Sequence, residues 1–400
     1  MEGEKAPETA KAVELWTRDF ALVTVANFLT YMIFYLIMAI IARYAVERFQ
    51  ASTGMAGFVS GIFLIGILVG RLGTGRIVEE VGSKRVLVGG AFLHVIASGL
   101  YLCASTVPVL AIVRFFHGVA FGIAHTGAGT IAAQVIPRGR QGEGIGFYTM
   151  SQIAATAFGP FLGITIGRYV DFGYIFFVAL LIGAGSLLVS SIITQPPSVN
   201  PKRLKVRRGL KLSDFIEFAA VPISVIILIA GFIYFSILTF MPLYSREIHL
   251  EGWAGVFFLV YAITVVMSRP VSGRLLDVKG ANFVVYPCLL LFALGMVLLA
   301  HAKSGMVLLL AAIGIGLGYG NLFSCGHAIA IKSVPQGRVG LATATYYIFI
   351  DIGSGIGPYV FGSLLSFMGY GSLFEVLAIL VLATLGAYRL FYREHRADSP

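Results

Sequence analysis

The hexapeptide Arg71-Leu-Gly-Thr-Gly-Arg76 and the hexapeptide Arg269-Pro-Val-Ser-Gly-Arg274 share two arginines and a glycine at the same spacing. They lie 198 positions apart (269 − 71). The same offset, without a gap, aligns Glu79 with Asp277, Gly82 with Gly280, Gly118 with Gly316, Gly122 with Gly320, Pro137 with Pro335, Arg140 with Arg338 and Gly159-Pro160 with Gly357-Pro358. Because self-similarity at a fixed period marks repeated structural units, the chain is predicted to consist of two parallel repeats.

The composition places both repeats in a lipid bilayer. Of the 400 residues, 58% are hydrophobic and only 12% are charged, where soluble proteins carry about 25% charged residues. A bilayer core needs about 20 apolar residues per helix, and the continuous apolar runs lack the alternation of an outer-membrane β-barrel. The predicted fold class is an all-α membrane protein with twelve transmembrane helices in two pseudo-symmetric bundles of six. The predicted spans are 20–42, 54–78, 86–105, 108–135, 143–168, 173–194, 217–245, 252–276, 282–301, 305–332, 340–366 and 371–392.

The longest polar interval divides the chain into two halves. It contains three prolines and six basic residues between positions 195 and 211, a composition typical of an extended linker. The predicted domains are therefore an N-terminal six-helix bundle over 1–194, a linker over 195–216 and a C-terminal six-helix bundle over 217–400.

The distribution of basic residues predicts the orientation in the membrane. The set of loops that includes the linker and both termini carries most of the Lys and Arg residues. The opposite set carries only Arg43, Arg48, Arg168, Arg246 and Lys303. By the positive-inside rule, both termini are expected in the cytoplasm, and the protein is expected in the plasma membrane.

Several classes of partner are disfavoured by the same residues. The net charge of +10 is spread over the predicted inner loops without interleaved aromatics, which argues against nucleic acid. No Lys follows a Gly anywhere in the chain, so the nucleotide-binding motif of an ATP-driven pump is absent. No cofactor motif, metal-ligand set or catalytic constellation of an enzyme is found, and His117 and His125 lack the carboxylate partner that a metal site would need.

The loop between the second and third predicted helices resembles the signature of the major facilitator superfamily, G-x-x-x-D-[RK]-x-G-x-[RK]-[RK]. The matching positions are Gly75, Glu79, Gly82, Lys84 and Arg85, and in the second half Gly273, Asp277 and Gly280. A carboxylate at this place is expected to cap the positive end of a neighbouring helix and to hold the cytoplasmic side shut. The resemblance covers essentially the whole chain and implies a transporter with two six-helix halves.

Two further motifs favour an exporter within that superfamily. Helix 4 carries Arg114-Phe-Phe-His117-Gly118, which is similar to the family motif R-x-x-Q-G. Helix 5 contains a glycine–proline motif that resembles the one of twelve-helix drug/proton antiporters, and helix 11 repeats it. Small residues of this kind let two helices approach closely. The residues of this packing motif are Gly159, Pro160, Gly163, Gly353, Gly357 and Pro358.

Polar and aromatic residues inside the predicted spans indicate a substrate cavity, because such groups are costly in lipid and are usually functional. The predicted cavity residues are Asn27, Tyr31, Tyr35, Arg114, His117, Phe121, Tyr148, Gln152, Tyr234, Asn321, Tyr347 and Asp351. Asp351 lies near the middle of helix 11 and is the first candidate for proton coupling, with His117 and His125 as further candidates. Arg71 and Arg269 are expected near the cytoplasmic ends of their helices, with side chains that extend toward water.

These observations predict a secondary transporter that works by alternating access and exports a small organic molecule in exchange for protons. A symporter or facilitative carrier for a small organic anion, with Arg114 as the partner of the anion, is the alternative within transport. A membrane receptor or scaffold on the same fold is the alternative outside it. Counterflow in vesicles separates these functions, because a receptor moves nothing and an antiporter responds to a pH gradient.

Overall fold

A computed structural model describes residues 15–137, 140–194, 216–335 and 339–391, without the side chains at 73, 75, 76, 79, 80, 141–143, 146, 339, 340, 390 and 391. Within these residues the chain forms helices and no strands. The predicted linker therefore lies almost wholly outside the described residues. The helices are α1 (Arg18–Phe49), α2 (Thr53–Val81), α3 (Ser83–Leu100), α4 (Val107–Val135), α5 (Gln141–Ile166), α6 (Phe172–Ile192), α7 (Val221–Glu247), α8 (Glu251–Lys279), α9 (Asn282–Ala300), α10 (Gly305–Lys332), α11 (Val339–Leu364) and α12 (Tyr370–Phe391).

Every predicted span coincides with one of these helices, and the predicted fold class is confirmed. In the described part of the chain, ten helices are long and apolar enough to cross a membrane. The largest difference is at α1, which continues seven residues beyond the predicted end to Phe49. This extension is possible because Arg43, Glu47 and Arg48 lie at the end of the helix, where water and other charged groups can solvate them.

The helix boundaries repeat with the offset seen in the sequence. The helices α2, α4, α5 and α6 begin 198 positions before α8, α10, α11 and α12 (251 − 53, 305 − 107, 339 − 141 and 370 − 172). Thr106 and Ser304 are also related by this offset, and each caps its helix by accepting a hydrogen bond from a backbone N–H three residues later. Such caps satisfy an N–H group that has no partner within the helix.

The helix-packing glycines lie at equivalent contacts in the two halves. Gly159 and Gly163 of α5 pack on α1, where a methyl group on Gly163 would lie 2.7 Å from the carbonyl oxygen of Leu36. Gly353 and Gly357 of α11 pack on α7 in the same way, and a methyl group on either would overlap a backbone carbonyl oxygen. These contacts require the absence of a side chain, which is how small residues bring membrane helices together.

The two halves differ within α10. Residues Gly316–Gly320 form a turn of π-helix, whereas the equivalent residues of α4 continue a regular α-helix. A π-helical turn adds a residue to the helical turn and is frequent at functional sites. Tyr319 lies within this turn, and its ring stacks on that of Tyr234 with a centroid distance of 4.3 Å.

Besides a contact of α1 with α7, the halves meet along two seams. In the first, α2 packs against α11, and in the second, α5 packs against α8. The repeat relates these seams, because α2 corresponds to α8 and α11 corresponds to α5. The α2–α11 seam and the α5–α8 seam enclose the space between the halves.

Candidate functional site

A cavity of about 890 Å³, counting the space at its mouth, lies between the two halves. Of this space, about 100 Å³ is open to the centre of a water-sized sphere, so the enclosed part of the cavity is small. Helices of both halves supply its wall. The residues on this wall that were predicted from the sequence are Tyr31, Tyr35, Phe121, Gln152, Tyr234, Tyr347 and Asp351.

Aromatic rings form most of this wall. Tyr234 stacks on Tyr319 and on Tyr261, with the second pair of ring centroids 5.1 Å apart. On the facing half, the ring of Tyr31 meets that of Phe121 edge to face at 5.0 Å. Rings placed in this way present large flat surfaces with few hydrogen-bonding groups. The cavity is therefore suited to a ligand with a flat apolar body.

An ion pair at the cavity joins the two halves. Nη1 of Arg71, on α2, lies 2.5 Å from Oδ2 of Asp351, on α11. The Arg71 guanidinium also lies 5.5 Å from the centre of the Tyr347 ring. Only 20% of the Arg71 side chain and 9% of the Asp351 side chain are exposed. Removal of one partner would leave the other charge poorly solvated, so the pair strongly favours contact between α2 and α11.

The repeat-related arginine of the second half has no such partner among the described residues. Arg269 lies on the cavity wall and is half-buried. No carboxylate of the described residues lies within 4 Å of its guanidinium. The residue related to Asp351 by the offset of 198 is Ile153 (351 − 198), which lies on the same wall. One of the two equivalent positions thus holds a neutralised arginine, and the other holds an arginine that no described carboxylate neutralises.

One side of the cavity is sealed by contacts between the halves. On this side, which carries the α1–α2 and α7–α8 connections, Thr53 Oγ1 donates a 2.6 Å hydrogen bond to the carbonyl oxygen of Gly362. Glu47 accepts from Arg43 at 2.9 Å and from Arg246 of the other half at 2.7 Å. Among the described residues, the remaining hydrogen bond or ion pair between the halves is that of Arg71 with Asp351. We call this side the sealed side.

Arg114 and His117 lie inside the first half, away from the cavity wall. The Arg114 guanidinium is fully buried, donates to the carbonyl oxygen of Val59 at 3.3 Å and lies 4.4 Å from the centre of the Phe63 ring. His117 hydrogen-bonds to the Tyr101 hydroxyl at 2.9 Å. The structure therefore places Arg114 where it links α4 to α2 and not where it would meet a ligand.

Other predicted polar residues form hydrogen bonds behind the wall. The amide of Asn27 donates to Ser151 at 2.8 Å and accepts from Tyr148 at 3.0 Å, which joins α1 to α5. The His125 ring lies 3.2 Å from the Tyr31 hydroxyl, directly behind the cavity. Asn321, next to the π-helical turn, accepts a 2.9 Å hydrogen bond from Ser272 of α8. These side chains position the wall without being part of it.

The predicted gate residues lie at the ends of α2 and α8. The side chains at Gly75 and Glu79 fall outside the described residues, whereas Lys84 and Arg85 lie in the first turn of α3. Asp277 pairs with Lys332 of the same half at 2.6 Å, and both side chains are largely exposed. Gly273 lies within α8 with open space beside it. Gly82 ends α2 with a φ of 93°, a conformation that only glycine adopts readily. The gating role stays a prediction.

Sequence reasoning missed Arg71 and Arg269 as cavity residues, because each lies within about three turns of a helix end. The structure shows that both side chains reach the cavity. Tyr261 and Tyr319 were also missed, although Tyr319 lies 198 positions after the predicted Phe121. Adding the repeat offset of 198 to the predicted Phe121 would have identified Tyr319 as a cavity residue.

Comparison with known proteins agrees with this architecture. The family model of the Major Facilitator Superfamily matches residues 23–358 and 284–400. An uncharacterized MFS-type transporter, MJ1560 of Methanocaldococcus jannaschii, is 23% identical over 90% of this chain and 95% of its own length. The multidrug resistance protein MdtG of Dickeya zeae is 22% identical over 92% of each chain. The crystal structure of a mutant of the nucleoside transporter NupG superimposes with a TM-score of 0.77 at 13% identity, covering 94% of this chain and all of NupG.

Proposed function

Since the chain belongs to the major facilitator superfamily, we propose that it exports a small organic molecule across the plasma membrane in exchange for protons. It is an integral membrane protein of a transporter family. The proposal adds that transport is coupled to protons and that the ligand leaves the cell. The observation that carries the proposal is the Arg71–Asp351 ion pair, which lies at the cavity and joins the two halves. A charge pair in that place couples the protonation of one residue to the separation of two domains.

The proposed cycle starts from the sealed conformation. Opening the sealed side requires α2 and α11 to part, and this separates Arg71 from Asp351. Parting two poorly solvated charges is unfavourable, but a proton bound at Asp351 removes the attraction and leaves a neutral carboxylic acid. Once this side has opened, a proton that Asp351 takes from that solution therefore keeps the pair apart and stabilises the open conformation.

The return step releases the proton on the other side. When α2 and α11 come together again, the guanidinium of Arg71 approaches Asp351 and favours its ionised form. The proton then leaves toward the opposite opening of the cavity. In each cycle one proton moves from the sealed side to the opposite side. The ligand moves the other way, from the opposite side to the sealed side.

The direction of transport rests on two supports. The Lys and Arg distribution favours cytoplasmic termini, so that the sealed side faces outward and protons enter the cell. The resemblance to a multidrug resistance protein and the glycine–proline motif of α5 favour export of the ligand. A symporter or facilitative carrier would use the same cavity, and a receptor or scaffold would need no movement of the halves.

A distance measurement across the sealed side tests the coupling without knowledge of the substrate. Spin labels at Arg48 and Ser366, which are exposed and lie on different halves, should move apart in liposomes when the pH is lowered. Asp351→Asn, which keeps the size of the side chain and removes its charge, should hold the labels apart at every pH. Glu375→Gln is the matched control, because this exposed carboxylate pairs with His301 within one half.

Three outcomes would contradict the proposal. Labels that stay together at every pH, in the unsubstituted protein and in Asp351→Asn alike, would favour a receptor or scaffold. A movement that does not depend on pH would favour a facilitative carrier. If Asp351→Asn kept the full pH response, Asp351 would be structural, and His117 and His125 would become the next proton-binding candidates.

A further inference from the structure

The charges on the cavity wall do not cancel. Arg71 and Arg269 contribute two positive charges and Asp351 contributes one negative charge, so the charged side chains of the wall leave one excess positive charge. Asp351 is engaged by Arg71 and cannot also neutralise Arg269. An arginine keeps its charge under all physiological conditions, so the wall carries at least one excess positive charge throughout the cycle, and two when Asp351 is protonated.

The internal repeat shows where the missing negative charge would lie. In the α2–α11 seam, Arg71 of α2 faces Asp351 of α11. In the α5–α8 seam, Arg269 of α8 corresponds to Arg71, and Ile153 of α5 corresponds to Asp351. Both Arg269 and Ile153 line the same cavity, so a ligand in the cavity can contact either of them.

The surroundings of Arg269 add a flat apolar surface to the charge. Tyr261 and Tyr347 lie on the same wall as Arg269, and the Tyr347 ring centre is 5.5 Å from the Arg71 guanidinium. The buried hydroxyl of Ser354, also on this wall, has no hydrogen-bond partner among the described residues. A guanidinium binds a carboxylate through two parallel hydrogen bonds, and the aromatic rings can stack on a flat body attached to it.

We infer that the transported ligand is a small organic monoanion with a flat apolar body, whose acid group pairs with Arg269 beside Ile153. The inference rests on the proposed function in that it names the substrate class of the same cavity. The ligand's acid group takes the place that Asp351 occupies in the other seam. A cationic ligand is disfavoured, since it would meet the uncompensated charge of Arg269 while Asp351 is already paired.

Three probes of the same shape and different charge test this inference. They are 1-naphthoate, its neutral amide 1-naphthamide and the cation 1-naphthylmethylammonium, and their binding to the full chain in detergent is measured by calorimetry and by the shift in melting temperature. Only 1-naphthoate should bind and stabilise the protein. Arg269→Gln should weaken its binding by about ten-fold or more, the usual effect of losing a charged hydrogen-bond partner. Arg274→Gln, an exposed arginine of the same helix, should leave the binding unchanged.

A second substitution tests the position of the acid group. Ile153→Asp supplies a carboxylate where the repeat places one, so it should pair with Arg269 and abolish the binding of 1-naphthoate. Ile153→Asn, which adds a polar group of the same size without charge, should bind the probe at least as well as Arg274→Gln does. If Arg269→Gln weakens the binding of 1-naphthoate and Ile153→Asp does not, the acid group of the ligand does not lie between α5 and α8.

Failure of the inference is distinguishable from failure of the proposed function. Equal binding of 1-naphthamide and 1-naphthoate, or unchanged binding in Arg269→Gln, would overturn the inference. Neither result would alter the pH-dependent distance between labels at Arg48 and Ser366, which tests the proton coupling alone. Conversely, a distance between the labels at Arg48 and Ser366 that does not change with pH would overturn the proton coupling. The charge selectivity of ligand binding would be unaffected by that result.

Discussion

The α2–α11 seam and the α5–α8 seam are formed by repeat-related helices and differ in packing and in chemistry. In the first, a methyl group on Gly57 would overlap the carbonyl oxygen of Pro358. In the second, a methyl group on the equivalent Gly255 would lie 2.7 Å from the hydroxyl oxygen of Thr165 and 3.2 Å from a backbone oxygen. The first seam is thus the tighter of the two.

The same contrast holds for charge. The α2–α11 seam contains an arginine with a carboxylate partner, whereas the α5–α8 seam contains the equivalent arginine with an isoleucine in place of the acid. A duplicated fold can therefore assign different tasks to equivalent positions by changing one residue. On our proposals, the α2–α11 seam responds to protons and the α5–α8 seam receives the ligand.

The largest effect is expected where the helices are closest. Gly57→Ala should destabilise the sealed conformation by about 1–3 kcal/mol or more, because the overlapping atom belongs to the backbone and cannot rotate away. Gly255→Ala should cost less, since the Thr165 hydroxyl can change rotamer. Melting temperatures in detergent and the Arg48–Ser366 label distance measure both effects. A larger loss for Gly255→Ala would reverse the assignment of the tighter seam.

A double-mutant cycle tests the difference in charge. Asp351→Asn alone should lower the stability by about 1–2 kcal/mol, less than for a fully buried pair, because Arg71 is partly solvated by the cavity. Adding Arg71→Gln should recover part of this loss, since no unpaired charge then remains. Arg269→Gln should change stability by no more than about 0.5 kcal/mol, because it breaks no ion pair with a described residue. If Arg269→Gln proved as costly as Asp351→Asn, Arg269 would have a partner that the structure does not show.

The smallest effect is expected at the surface of the sealed side. Glu47→Gln removes the link between Arg43 and Arg246, and exposed pairs of this kind contribute about 0.2–1 kcal/mol. The labels at Arg48 and Ser366 should move apart slightly, and added salt should reduce the difference from the unsubstituted protein. Glu375→Gln should leave the distance unchanged. If Glu47→Gln increased the label distance more than Gly57→Ala does, the contacts of Glu47, and not the α2–α11 seam, would contribute most to holding the sealed side closed.

The positions of the helices were predictable because the bilayer imposes a length and a composition on every span. All twelve predicted spans became helices, with boundaries that differ by up to seven residues. The cavity was predictable only in part. Tyr31, Tyr35 and Asp351 reach it, whereas Arg114 turns toward α2 and makes its contacts with Val59, Ser60 and Phe63.

The sequence by itself determined the membrane-embedded class, the helical spans and the internal repeat, because hydrophobic length and a constant offset are properties of the chain alone. Tertiary structure decided which polar residues meet. Arg71 and Asp351 are 280 positions apart, and no local pattern indicates that α2 and α11 bring them together. Residues on one helix face share a direction, but the neighbour that they face depends on how the two halves pack. For this reason the sequence could name Asp351, and only the fold could show that Arg71 is paired with it and that no carboxylate in the described part of the chain pairs with Arg269.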